Sequence, residues 1–250
     1  MSVLDELSKE FKETIEVRYT FAICFTGVCR EKGAMLGAGF LERQFKDLIT
    51  PLGVHITTLR GHTSPVITLS LFENKLCSGS IDNIVHLWDI NTLDHIETFK
   101  KYINKVDRVI VVGKKIFFGS NEKTIEVYCA NTHELYTTLR GHTDQVRCFA
   151  ESRGKVYSGS DDCTIRVWDA DECQCVATLS GHPRSVRCLA AIRNKLCSGS
   201  FDRTIRVWDT DTYQHIVTLE GHTKWVSSLV IVGHKLYSGS DDTTIRIWTL

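Results

Sequence analysis

The stretch SGSDDCTIRVWD, residues 158–169, decides the fold of this chain. It contains two short strand-like segments joined by a pair of aspartates, a residue type that favours turns. From Thr164 to Trp168 polar and apolar side chains alternate with period 2, the pattern of a strand with one buried face. The stretch therefore predicts a tight hairpin that ends at Trp168 and Asp169.

Related stretches recur along the chain at a fixed distance. SGSIDNIVHLWD begins at Ser78, SGSFDRTIRVWD at Ser198 and SGSDDTTIRIWT at Ser238, while an eroded form, FGSNEKTIEVYC, begins at Phe118. The starting points are separated by multiples of 40 residues. A fixed period of this length indicates a repeat architecture. Four short strands per period, separated by turn residues, predict an all-β radial repeat.

The recurring elements Gly-His, Ser-Gly-Ser-x-Asp and Thr-Ile-Arg-Val-Trp-Asp resemble the WD40 repeat, which forms one blade of a β-propeller. The resemblance covers residues 55–250 and implies an all-β WD40 β-propeller of five recognisable blades, one of them degenerate. Among such proteins, the Gly-His-x-x-x-Val-Arg-Cys openings at Gly141 and Gly181 are most similar to F-box/WD ubiquitin-ligase subunits and myosin heavy chain kinases.

The resemblance also implies a structural network inside each regular blade. An Asp orients a His, which reaches a Ser, which reaches the indole N–H of a Trp, so that buried polar groups are satisfied. The four sets are His62, Ser78, Asp82, Trp88; His142, Ser158, Asp162, Trp168; His182, Ser198, Asp202, Trp208; and His222, Ser238, Asp242, Trp248.

These sets raise the question of hydrolase chemistry, because Ser, His and Asp also form catalytic triads. The combination recurs four times, the Trp occupies the hydroxyl, and no Gly-x-Ser-x-Gly element is present. We therefore predict no catalytic residue. One His per blade cannot converge on one ion, so no metal site and no cofactor are predicted.

One repeat departs from the pattern. Tyr102, Phe118, Glu122 and Tyr128 stand where His, Ser, Asp and Trp are expected. We expect this degenerate blade to lack the network and to be the loosest of the five.

The N-terminal part, residues 1–54, is predicted to be an extension of the propeller. Residues 2–16 carry an apolar stripe of helical spacing. Residues 17–54 are either unrelated to the repeat or a decayed sixth blade. Residues 55–59 have the character of a fourth strand and would close a five-bladed ring by pairing with the last blade. An open arc that dimerises, or a fragment of a longer parent, remains an alternative.

Partners of such propellers bind on the face that carries the loops between blades and between the middle strands. The resemblance places six candidate partner-binding residues there: Arg147, Arg187, Asp161, Phe201, Trp225 and Asp241. The two arginines lie on adjacent blades and suit a phosphorylated or acidic partner, because a guanidinium binds phosphate through two hydrogen bonds. Alternatively, the aspartates neutralise them. The two aromatic residues are candidate apolar anchors, although a structural role for the tryptophan is an equal alternative.

Composition limits the classes of partner. Lys+Arg and Asp+Glu both number 30, so no global field favours nucleic acid or an anionic membrane. No apolar run approaches the roughly 18 residues of a membrane span. Among the ten cysteines, Cys77 and Cys197 share a repeat position with aromatic residues, which indicates packing. Reduced structural thiols in a cytoplasmic or nuclear protein are therefore expected.

The sequence thus favours a non-enzymatic scaffold that binds a protein or peptide, in ubiquitin ligation or in kinase targeting. An enzyme with a site in the central funnel and an RNA-binding propeller are the alternatives. The first would need a convergent cluster of titratable groups, and the second a basic stripe with aromatic residues.

Overall fold

The computed structural model of the chain describes residues 57–99, 106–120 and 123–250. The expected N-terminal helix and the possible sixth blade lie outside these ranges. All regular structure in the described ranges is β-strand, arranged as five antiparallel sheets that follow one another along the chain. No helix within these ranges has the length and apolar character that crossing a bilayer requires.

Each sheet corresponds to one repeat and is called a blade, numbered 1 to 5 in chain order. Blade 1 consists of β1 (Val66–Phe72), β2 (Lys75–Ser80), β3 (Val85–Asp89) and β4 (His95–Phe99). Blade 2 consists of β5 (Val106–Val112), β6 (Lys115–Ser120), β7 (Ile125–Cys129) and β8 (Leu135–Leu139). Blade 3 consists of β9 (Val146–Ser152), β10 (Lys155–Ser160), β11 (Thr164–Asp169) and β12 (Cys175–Ser180). Blade 4 consists of β13 (Val186–Ile192), β14 (Lys195–Ser200), β15 (Ile205–Asp209) and β16 (His215–Leu219). Blade 5 consists of β17 (Val226–Val232), β18 (Lys235–Ser240) and β19 (Ile245–Thr249).

The hairpin predicted from SGSDDCTIRVWD is present in blade 3. Lys155 pairs with Asp169, Tyr157 with Val167 and Gly159 with Ile165, and the two aspartates form the turn between β10 and β11. Ile165 and Val167 are buried, as the period-2 alternation predicts.

Neighbouring blades pack face to face in the order 1 to 5, through contacts between their first strands. In blades 3 and 4, the glycine of the Ser-Gly-Ser element lies at such a junction. A Cβ on Gly159 would lie 2.6 Å from Cys148 Sγ and 2.7 Å from Val186 Cγ1 of the next blade. Because no real Cβ approaches so closely, glycine is required where two blades meet.

The described part of blade 2 has an aromatic core where the regular blades have the polar network. Phe118 and Tyr128 are buried and pack against Phe99 of blade 1, with ring centroids 5.6 and 5.4 Å from that phenylalanine. Aromatic packing thus replaces hydrogen bonding at this position. Tyr102 and Glu122 lie outside the described residues.

The predicted closing strand is not found in the part of it that the structure describes. Residues 57–59 form no strand, and blade 5 has three strands within the described ranges. β1 and β17 share no extensive contact, so the first blade does not lie against the last. The described blades form an arc.

Candidate functional site

The polar network of blade 3 is a directed chain of hydrogen bonds. The indole Nε1 of Trp168 donates to Ser158 Oγ at 2.8 Å, and Ser158 Oγ lies 2.7 Å from His142 Nε2. His142 Nδ1 lies 2.7 Å from Asp162 Oδ2. With the Nδ1 proton facing the carboxylate, the serine hydroxyl donates to Nε2, and each of these polar atoms has a partner.

The same set is formed in blades 1, 4 and 5. The His–Asp distance is 2.6 Å in blade 4 and 2.7 Å in blade 5, and it is 3.1 Å in blade 1. The tryptophan donates to the serine at 2.8 to 2.9 Å in all three. Ser158, Ser198 and Ser238 are completely buried. Each of these three hydroxyls is enclosed by its blade and bonded to both the tryptophan and the histidine of its own set.

The network connects two loops of each blade. Asp162 accepts backbone N–H groups from Thr143, at 2.9 Å, and from Thr164, also at 2.9 Å. Burial alone raises the pKa of the Asp162 carboxyl. Hydrogen bonds from His142, Thr164 and Thr143 outweigh burial, and its pKa is lowered overall. The carboxylate therefore stays ionised and fixes the segment before β9 to the turn after β10.

These two loops form one end of every blade, which we call the upper surface: the residues before each first strand and those after each second strand. Backbone hydrogen bonds join the two loops. Asp161 N donates to Gln145 O at 2.9 Å, Phe201 N to Ser185 O at 3.0 Å, and Asp241 N to Trp225 O at 3.2 Å. Predicted site residues from separate parts of the chain are thereby held at one end of the arc.

β-Bulges bring the two candidate arginines to this surface. In β9, Val146 pairs with Ser160 and Cys148 with Gly159, so Arg147 is the extra residue of the bulge. Arg187 occupies the same position in β13. A bulge redirects a side chain that regular alternation would place on a sheet face. The irregular register was not evident from the sequence, although the resemblance to the family selected these positions.

Asp161 lies between the two arginines. Arg147 Nε donates to Asp161 Oδ2 at 2.7 Å, and Arg147 Nη2 lies 2.5 Å from the same oxygen. Arg187 Nη1 is 3.8 Å from Asp161 Oδ1, beyond hydrogen-bond distance. For Arg147, the geometry favours the alternative of internal pairing. Arg187 is held less closely by the same carboxylate.

The surroundings of Arg187 are positively charged. Burial is the main cause that lowers its pKa, and the neighbouring charge of Arg147 lowers it further, while Asp161 opposes both. The positive charge of Arg108 in blade 2 also lowers the pKa of Arg187. Arg187 thus lies near two other guanidinium groups, those of Arg147 and Arg108, and near one carboxylate, that of Asp161.

The aromatic candidates stand next to this cluster. Phe201 stacks on Trp225 with ring centroids 4.3 Å apart and planes at 37°. The guanidinium of Arg187 lies 4.8 Å from the centroid of Phe201, within the range of a cation–π contact. Trp225 is 43% exposed, so its ring is available to a partner. Arginine and aromatic side chains therefore form one continuous patch across blades 3, 4 and 5.

A cleft of about 630 Å³ opens beside the aromatic pair, between blades 4 and 5. Phe201, Trp225 and Asp241, all predicted site residues, line it. Sequence reasoning missed further lining residues, among them Arg184, Arg203 and Lys224. They lie in loops whose sequence varies between repeats, and only the packing of blade 4 on blade 5 brings them together. The cleft thus places basic groups, together with the carboxylates of Asp202 and Asp241, beside the aromatic residues.

No group of three or more His, Cys, Asp or Glu side chains suited to a metal ion is present in the part of the chain that the structure describes. The eight cysteines within the described ranges are free, and Cys77, Cys148, Cys188 and Cys197 are buried in the cores between blades.

Comparison with known proteins identifies the repeat. Four segments match the family model described as "WD domain, G-beta repeat": residues 53–89, 133–169, 173–209 and 213–249. The first three strands of blade 2, β5 to β7, lie outside the matched segments, in agreement with the degenerate sequence of this repeat. These matches support the repeat family, and they do not support the finer likeness to ubiquitin-ligase subunits or kinases.

Similar individual proteins were also found. The chain is 47% identical over 49 residues to the SAGA complex subunit Spt8 of Schizosaccharomyces pombe, which is 19% of this chain and 9% of that protein. Two solved structures, of U3-55K and of the RRP9 WD40 repeats, superpose with a TM-score of 0.70 at 24% and 25% identity. Each match covers 76% of this chain and 63% or 62% of the solved chain, respectively. The chain thus spans less than two thirds of each of these relatives.

Proposed function

The chain belongs to the WD40-repeat family, and from this premise we propose that it is a protein-interaction scaffold whose upper surface binds an anionic peptide segment of a partner protein. The segment would carry a phosphate or carboxylate group next to an apolar side chain. The placement of Arg147 and Arg187 beside half-buried Phe201 and exposed Trp225 supports this proposal.

The observation that carries the proposal is the contact of Arg147 and Arg187 with one carboxylate, Asp161. Arg147 is closely paired, whereas Arg187 lies 3.8 Å away. Arg187 also lies over the ring of Phe201, with its guanidinium carbon 4.8 Å from the ring centroid. A phosphate or carboxylate of a partner would complete the coordination of these guanidinium groups, in competition with Asp161.

Phe201 and Trp225 would hold the apolar part of the segment. Aromatic residues and arginine contribute most to binding free energy at protein interfaces, particularly at the centre of a patch. The cleft beside them provides space for a side chain, and Arg184, Arg203 and Lys224 at its edge attract further negative charge. The expected ligand is therefore an acidic segment with one large apolar residue.

The proposal is tested by incubating the purified protein with an array of peptides, each synthesised with and without phosphate on Ser or Thr. Binding peptides are then titrated by fluorescence anisotropy. We expect Arg147→Gln/Arg187→Gln to weaken binding by more than about tenfold, because two charge-assisted hydrogen bonds are lost. Asp161→Asn should strengthen binding, because it removes the competing carboxylate.

The matched control is Arg153→Gln, which removes an arginine at the opposite end of blade 3, where Arg153 pairs with Asp211 at 2.9 Å. It should leave binding unchanged. Circular dichroism shows whether each variant is folded. Equal affinity of the wild type and the Arg147→Gln/Arg187→Gln variant, or weaker binding by Asp161→Asn, would overturn the anionic-peptide proposal. A preference for phosphorylated over glutamate-containing peptides would identify phosphate as the ligand group.

A role as a recognition or targeting module in ubiquitin ligation or kinase targeting is a finer form of this proposal. Its support is the sequence Gly-His-x-x-x-Val-Arg-Cys at Gly141 and Gly181. Co-purification of the chain with ubiquitin-ligase or kinase components from its own cells, dependent on the two arginines, is the result expected from this form.

A further inference from the structure

Each junction between successive blades uses the same two faces. At the junction of blades 4 and 5, one core contains Ile205 and Val207 of blade 4 with Val226, Leu229 and Leu236 of blade 5. We call the face of a blade that carries the equivalents of Ile205 and Val207 its forward face. The face that carries the equivalents of Val226, Leu229 and Leu236 is its backward face. The junctions of blades 1 with 2, 2 with 3 and 3 with 4 are formed by the equivalent residues.

The forward face of blade 5 has no blade packed on it within the described ranges. Ile245 is 70% exposed and Ile247 is 60% exposed, whereas the equivalent Ile205 and Val207 of blade 4 are 0% and 2% exposed. Tyr237 of the same face is half-buried, whereas its counterpart in blade 4 is fully buried. Two exposed isoleucines side by side on a sheet face form an apolar patch that favours contact with another protein surface.

The backward face of blade 1 is uncovered in the same way. Val66 is 45% exposed, while the equivalent valines at the start of β9, β13 and β17 are completely buried. Leu71 is exposed, and Leu69 and Leu76 are half-buried. The molecule therefore carries, at the two ends of its arc, the two complementary halves of an interface that it forms four times internally.

We propose that two copies of this chain associate head to tail, with the forward face of blade 5 in one copy packed on the backward face of blade 1 in the other. Burial of apolar surface drives this association. The shapes of the two faces match because the same residue types pack at every internal junction. Such a contact is heterologous, since each copy uses a different surface.

The alternative occupant of the two faces is the chain's own N-terminal part. The sequence favours the second copy. The family matches begin at residue 53. When residues 17–54 are aligned with the repeat, residues 41–49 fall on its third strand and lack the alternation, the Trp and the Asp of that strand. Residues 41–49 therefore lack the features that identify the third strand of a blade.

The test is the mass of the full chain in solution, measured by sedimentation equilibrium over a wide range of concentrations. The wild type should rise from 28.3 kDa towards multiples of that mass. Ile245→Asp/Ile247→Asp should stay at 28.3 kDa, and so should Val66→Asp, because a charge cannot be buried in the apolar junction. Leu71→Asp provides a second variant of the backward face in case Val66→Asp is poorly folded.

Mixing the variants tests the head-to-tail geometry. Ile245→Asp/Ile247→Asp retains an intact blade 1, and Val66→Asp retains an intact blade 5. An equimolar mixture should therefore form a dimer that grows no further. Ile216→Asp, at an exposed apolar position on the outer strand of blade 4, is the matched control and should associate like the wild type.

Three outcomes would overturn the proposal. The first is a wild type that stays monomeric at every concentration, which is the behaviour expected if residues 1–56 cover the faces. The second is a mixture of the two variants that remains monomeric. The third is continued self-association of Val66→Asp and Leu71→Asp alone, since that result indicates pairing of identical blade 5 faces.

Discussion

At the scale of single residues, replacement of Asp by Cys at one repeat position changes the chemistry of that position, although the surrounding turn is the same. Asp89 accepts backbone N–H groups from Asn91 at 2.8 Å and Thr92 at 3.0 Å. Cys129 takes this position in blade 2, and its sulfur accepts hydrogen bonds from the side chain and backbone of Thr132 and the backbone of Asn131. A turn that elsewhere binds a carboxylate thus stabilises a thiolate.

Cys129 should therefore react with iodoacetamide faster than the core cysteines in the native protein. Hydrogen bonds from Thr132 and Asn131 lower the pKa of Cys129, whereas burial raises the pKa of Cys77 and of Cys197 to about 12. Peptide mapping by mass spectrometry after short exposure measures the order of modification. Thr132→Val should slow the reaction of Cys129. An unchanged rate in that variant would contradict the role of the threonine.

At the scale of elements, the second strand of each blade has to come close to the neighbouring blade. In blades 3 and 4 the glycine of Ser-Gly-Ser faces the valine that begins the next blade. A Cβ on Gly199 would lie 2.7 Å from Val226 Cγ1. In blade 5, a Cβ on Gly239 would meet Ser228 of its own blade at 2.6 Å and, among the described residues, no atom of another blade. The glycine of Ser-Gly-Ser is therefore constrained by the next blade in blades 3 and 4, but by its own blade in blade 5.

Gly159→Ala should destabilise the protein by about 1–3 kcal/mol, because the added methyl group overpacks the junction of blades 3 and 4. Gly239→Ala is the matched substitution at the end of the arc. It should be milder, since the Ser228 side chain can rotate away. Urea unfolding of both variants, at a concentration where the protein is monomeric, measures the difference. Equal losses of stability would show that the forward face of blade 5 is covered.

At the scale of the whole molecule, four repeated aspartates couple stability to pH. The pKa values of Asp82, Asp162, Asp202 and Asp242 are all lowered in the folded protein. Burial opposes this shift, but hydrogen bonds from the neighbouring His, Thr and backbone groups outweigh it. A carboxyl group with a lowered pKa stabilises the fold above its unfolded pKa of about 4, and this contribution is lost as the pH falls through the folded value.

The free energy of unfolding should therefore be steady near neutral pH and fall below about pH 5. Asp162→Asn/Asp202→Asn should lower it at pH 7 by about 1–2 kcal/mol per site, because a buried charge-assisted hydrogen bond is weakened in each blade. The difference from the wild type should narrow towards pH 3. Urea unfolding at a series of pH values measures both effects, and a difference that stays constant with pH would contradict them.

Much of the fold follows from the sequence alone. The 40-residue period, the hairpin at residues 158–169 and the division of each blade into short strands depend on side-chain alternation and turn residues, which are local. The network residues keep constant spacing in the four regular repeats, so the contacts within one set predict those within the other three. Arg147 and Arg187 were also placed on the upper surface in advance, by resemblance to the family.

Tertiary structure decided what depends on contacts between blades. The pairing of Arg147 with Asp161, the stacking of Phe201 on Trp225 and the aromatic core of blade 2 join residues from separate segments or blades. The end of the arc shows the physical reason most directly. Thr204–Trp208 and Thr244–Trp248 differ in one residue, yet Ile205 is fully buried and Ile245 is 70% exposed. Local sequence makes each a strand, and a neighbouring blade determines whether its apolar face is covered.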